Sequence, residues 1–173
     1  MRRLALVLVV AMVAVLAFGA PVAAAPDAGL NREVTGPFSG TESIDNTTCF
    51  IPDFGAGAPQ TFEATYQPDR PGSGSVHIDV CVVPDVPSVS VADGTFKLTS
   101  RTGATLTGTV GGLINFLGQF GPPIATLHFR LTVTEGIRRF QHVTGTIAFD
   151  GIWHIPEPPG NAISGTLTGS LQR

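Results

Sequence analysis

Alternation of apolar and polar residues organises the second half of the chain. Ala125, Leu127, Phe129, Leu131 and Val133 fall on one face, and Thr126, His128, Arg130, Thr132 and Thr134 on the other. A period of two over ten residues belongs to a half-buried strand. Beyond a basic connection, Val143, Gly145, Ile147 and Phe149 resume an apolar face against Thr144, Thr146 and Ala148. The two runs predict a β-hairpin. The pattern recurs at residues 33–44, where Val34, Gly36, Phe38 and Gly40 share a face, and at 61–66, where Phe62, Ala64 and Tyr66 do. It returns at 75–83, until Pro84 and Pro87 forbid further central pairing. Residues 88–100 form one strand, with Asp93-Gly94 as a place where it could break, and strands at 104–110 and 162–172 complete a predicted set of eight.

No amphipathic helix long enough to cover a sheet accompanies these strands, so the sheet must cover itself, as a barrel or a sandwich. Short connections favour a meander. Glycines on the apolar faces (Gly108, Gly145, Gly165 and Gly169) suit a narrow interior with sharply bent strands. The fold class expected is all-β: a small closed antiparallel barrel of about eight strands, mainly up-and-down, with a β-sandwich as the alternative.

Two stretches depart from the alternation. Arg2 and Arg3 precede an apolar run and then small residues, the order of a secretory signal peptide. The expected organisation is a signal peptide at 1–24, a flexible mature N-terminus at 25–32 and a single β-barrel domain at 33–173. A retained membrane anchor is the rival reading, disfavoured by Gly19, Pro21 and the alanines that follow. The second stretch is GGLINFLGQF, followed by Gly121, where a connection between strands should be polar but carries Leu113, Ile114, Phe116, Leu117 and Phe120. Such a connection is expected to plug the barrel mouth, lie in a subunit interface, touch lipid or hold an apolar ligand. Trp153, beside Pro156, Pro158 and Pro159, reads as part of a stiff rim loop and joins these five as a ligand or interface candidate.

Charge narrows the partners. Without the two signal arginines, 8 basic residues face 13 acidic ones, a formal charge of 8 − 13 = −5. That opposes nucleic-acid binding. Cys49 and Cys81 are the only cysteines, and in an exported chain an even count is read first as a disulfide. No metal-ligand cluster, nucleophile elbow or phosphate loop occurs, so neither a metal nor a cofactor is expected. His77 and Asp79 share a strand face and could form a general-base couple, although that polar face should be solvated. His128 and Arg130 lie opposite an apolar face, as surface or contact residues. Arg138 and Arg139 could hold an anion or form a solvated turn.

The hairpin connection also resembles the G-G-T-G-R-F-x-G-A-x-G turn of bacterial secreted proteins related to the allene oxide cyclase and dirigent barrels. Gly136, Arg139, Phe140 and Gly145 stand in matching places, while Glu135, Ile137, Arg138 and His142 replace small residues. GTFKLTSRTGATLTGTV from Gly94 and ISGTLTG from Ile163 are similar to strands of the same barrels. The resemblance implies a barrel, in a family that includes cyclases and proteins that guide radical coupling without a conventional active site. The functional expectation is a secreted, non-enzymatic barrel that binds a small apolar ligand or a protein partner, with a homo-oligomer as one form of the latter. No membrane span is expected after signal cleavage. The alternative is a cyclase-like or dirigent-like barrel acting on a lipid-like or phenolic substrate.

Overall fold

The computed structural model describes residues 31–67, 73–86, 88–117, 124–154 and 161–173. Nine strands are present: β1 (Arg32–Ile44), β2 (Cys49–Ile51), β3 (Gly55–Tyr66), β4 (Gly74–Val86), β5 (Val89–Ser100), β6 (Thr105–Leu117), β7 (Ile124–Gly136), β8 (Thr144–His154) and β9 (Asn161–Gln172). Each strand from β3 to β9 pairs antiparallel with the next. β1 pairs with β9 on one side and with β3 on the other, so the ring closes. β1 and β3 to β9 therefore form a closed eight-stranded barrel, and β2 is an extra strand paired to β3. The closed barrel replaces the sandwich alternative, and all eight predicted strands are present in it.

Prolines mark where the ladders stop. The Pro37 carbonyl accepts from the Gln67 amide and the Pro59 carbonyl from the Asp45 amide, both at 3.0 Å. Within a strand a residue's N–H points the same way as its C=O. The missing N–H of each proline thus faces a position just past one end of the β1–β3 ladder, where its absence breaks none of that ladder's own pairs. Pro84 likewise lies beyond Ala58↔Val82, the last β3–β4 pair, beside a register shift in the β4–β5 ladder.

The inner faces follow the alternation. Phe38, Phe62, Phe96, Leu106, Leu127, Leu131, Ile147, Phe149 and Leu167 are all buried in one core. Phe38 stacks on Phe149 with centroids 3.8 Å apart, and Phe129 lies 6.0 Å from Phe149 and 5.4 Å from Phe62. Gly165 makes this possible: a Cβ there would lie 2.1 Å from the Asp150 carbonyl oxygen and 2.7 Å from the Phe38 ring.

The described part of the apolar stretch is regular structure. Gly111 to Leu117 is no connection; it is the second half of β6, paired with β5 and β7. Alternation fails there because Leu113 and Leu117 point outward, which made a strand look like an apolar loop. One end is closed where the 3₁₀ turn Arg138–Phe140 follows β7 and buries Phe140 among core residues, and residues 118–121 of the apolar stretch lie outside the described residues. We call the end with the 3₁₀ turn the base and the other the mouth. Trp153 is also no rim-loop residue, because it continues the inward face of β8 and is buried.

Cys49 and Cys81 form a disulfide that joins β2 to β4. The bridge spans 32 residues of sequence, for which chain-entropy reasoning gives about 3.5 to 4 kcal/mol. Since β2 lies outside the ring, replacing both cysteines by alanine should lower stability by up to about that amount and keep the β-sheet circular dichroism. Denaturant titration checks both. At Gly165 the clash is with backbone, so Gly165→Val should cost at least about 1 to 3 kcal/mol, read as a lower denaturation midpoint at unchanged slope.

Candidate functional site at the barrel mouth

At the mouth the inner face changes character. The parity that buries Val34 and Phe38 continues to Glu42, only 5% exposed, and the parity of Phe62 continues to Gln60. Ser90 and Phe116 end the inner faces of β5 and β6 in the same way. Glu42 accepts a hydrogen bond from the Asn161 side-chain amide through Oε2. Its Oε1, the Gln60 Oε1 and the Trp153 Nε1 are buried without a partner among the described residues. Two acceptors and one donor are thus left unmatched at one end of an otherwise apolar lumen. A buried unpaired polar group costs roughly 1–3 kcal/mol, so a partner outside the described residues, water or a bound molecule is called for here.

An open cleft of about 760 Å³ adjoins this layer. Ala56, Gly57, Ala58 and Gln60 of β3 form one side, Val82, Pro84 and Asp85 of β4 another, with Ser90 and Phe116 completing it. Phe116 is 38% exposed, and its ring centroid lies 6.0 Å from that of Trp153, which in turn lies 6.2 Å from Phe62. The cleft therefore offers an exposed aromatic face that leads inward to buried polar atoms.

The sequence-derived candidates separate. Phe116 and Trp153 meet at the mouth. Ile114 is wholly buried core, and Leu113 and Leu117 are exposed on the outer face. Phe120 lies outside the described residues. Glu42, Gln60, Ser90 and Asn161 were not singled out from sequence, although strand parity alone places the first three inside. The histidines stay outside: His77 contacts Asp79 at 2.8 Å and Glu63 at 3.2 Å, and His128 contacts Asp150 at 2.9 Å, all with exposed side chains. Exposed pairs of this kind contribute little and enclose no substrate. Among the described residues no group of three or more His, Cys, Asp or Glu could hold a metal, and no helix is long and apolar enough to cross a membrane.

No protein-family model matches this chain, and no curated protein sequence matches it.

Burial raises the Glu42 carboxyl above its ordinary value of 4.5, against the smaller opposing effect of the Asn161 hydrogen bond. The folded chain then holds a proton that the unfolded chain has released, and stability falls as pH rises from about 4.5 through the raised value. Glu42→Gln keeps an acceptor for Asn161 and removes the titration. Its stability should gain on that of the parent as pH goes from 4 to about 7, measured by denaturant midpoints at each pH. An identical pH dependence in both proteins would show that Glu42 is solvated when folded.

Proposed function

We propose that this chain is an exported barrel protein that binds a small, largely apolar molecule at its mouth. The molecule's body lies against Phe116 and its hydrogen-bonding group reaches Gln60. The observation that carries this reading is the unpartnered Gln60 Oε1 lining a cleft whose aromatic wall is exposed. Ligand sites combine apolar walls with a few placed polar groups in this way. The disulfide fits an oxidising compartment, and the apolar run after Arg2 and Arg3 fits export.

A second reading has its own observation. Glu42 is an inward-facing carboxyl kept toward its neutral form, the kind of group an enzyme of the cyclase or dirigent type could use on a lipid-like or phenolic substrate. The resemblance of the Gly136 to Gly145 turn to that family supports this alternative. Turnover of such a substrate that disappears in Glu42→Gln would select it over simple binding.

The chain's only tryptophan, Trp153, sits at the site and reports on it. Titration with a neutral naphthylamine dye should change Trp153 fluorescence saturably. Phe116→Ser should weaken the dye about tenfold, equivalent to about 1.4 kcal/mol, while Leu117→Ser on the outer face should leave it unchanged. Equal affinity in all three proteins would refute the mouth as the site. Loss of self-association in Leu117→Ser alone would move the function to a contact between copies.

A further inference from the structure

The base of the barrel gathers arginines. Arg32 begins β1 with its inward parity and pairs in register with Leu171, and Arg173 directly follows the end of β9; both side chains are exposed. Arg139 reaches the same place from the 3₁₀ turn. Together with Phe140, Val143, Leu171 and Gln172 they line a cavity of about 40 Å³, separate from the mouth cleft.

Two features distinguish this cavity from a solvated turn. Among the described residues no Asp or Glu side chain lines it, and no carboxylate, side-chain or terminal, lies within 4.0 Å of the three guanidinium groups. The turn that delivers Arg139 is also held in a costly shape. Arg138 and His142, on either side of Arg139 and Phe140, have φ of 59° and 63°, the left-handed region that residues with a Cβ seldom occupy. Arg138 is tied by a 3.0 Å hydrogen bond from Nη1 to the Thr102 carbonyl, which leaves Arg139 with its guanidinium 4.9 Å from the Phe140 ring centroid. Arg139 also acts electrostatically on the buried Tyr66 hydroxyl, opposing the rise that burial causes. Arg101 and Arg138 add positive charge at this end, and the acids there among the described residues, Glu33 and Glu135, are exposed and absent from the cavity lining.

We propose that this cavity binds one tetrahedral oxyanion, a phosphate group, through Arg32 and Arg139 with Arg173 as third donor. Three positive side chains over an apolar floor repel one another without a counter-anion. Planar guanidinium forks match the paired oxygens of a phosphate. The volume admits a group of a few heavy atoms, so the recognised element is a free phosphate or the phosphate monoester of a lipid headgroup, not a whole nucleotide.

Calorimetry of the full chain with inorganic phosphate at low ionic strength tests this independently of any ligand at the mouth. Saturable binding is expected, weakened at least tenfold in Arg139→Gln and in Arg32→Gln. Arg101→Gln removes equal charge outside the cavity and should stay within about twofold of the parent, as expected for screened exposed charge. Phosphate should raise the melting temperature of the parent and not that of the Arg32→Gln/Arg139→Gln double variant, which also shows whether that variant folds. In a second arm, phosphatidylcholine vesicles with and without phosphatidic acid are sedimented with the protein. Retention that needs phosphatidic acid and Arg139 identifies a lipid-borne phosphate, and binding of inorganic phosphate alone identifies the free ion. Absence of saturable binding in both arms, or equal losses for Arg101→Gln and Arg139→Gln, overturns the proposal.

Discussion

A closed ring of eight strands leaves an interior about wide enough for side chains to meet across it, and everything inside this barrel answers to that limit. Phe38 shows how. Its ring lies flat on Phe149 and fills space where Gly151 and Gly165 present no side chain. From there aromatic neighbours continue through Phe129, Phe62 and Trp153 to Phe116. The middle of the barrel is a packed row of rings, each held in place by the next. Chemistry is thereby displaced to the two ends.

Those ends are electrically unlike. At the mouth the described charged residues include Asp45, Asp53 and Asp85, with Glu42 turned inward. At the base are Arg32, Arg101, Arg138, Arg139 and Arg173, against Glu33 and Glu135. A net charge taken over the whole chain hides this division, since it averages an acidic end against a basic one. A molecule with such a separation approaches charged surfaces and solutes in a preferred orientation, even where its net charge suggests little attraction.

The period-two pattern made eight strands and their inner faces legible, because a one-residue slip would have turned every valine and phenylalanine outward. It was blind where side chains carry no contrast. Gly55-Ala56-Gly57-Ala58-Pro59 shows no apolar-polar alternation, yet it begins β3, with β2 paired to it and β4 beside Ala58. The pattern misled where outward positions are apolar, as at Leu113 and Leu117, and where prolines stand close by, as at Trp153. The candidate site was hidden for a related reason. Polar residues were taken as outward, whereas Glu42 and Gln60 keep the inward parity of their strands. Parity was the better guide, and hydropathy the worse one.

The ring closes through β1 and β9, which joins Arg32 to Leu171 and Glu42 to Asn161 across nearly the whole sequence. The remaining neighbours are meander partners that can form as soon as each hairpin is made. The first strand must therefore wait, with Phe38 exposed and one edge unpaired, until the last has been synthesised. High contact order of this kind slows folding and prolongs the life of a sticky open sheet. During that interval the chain is vulnerable to joining its neighbours edge to edge.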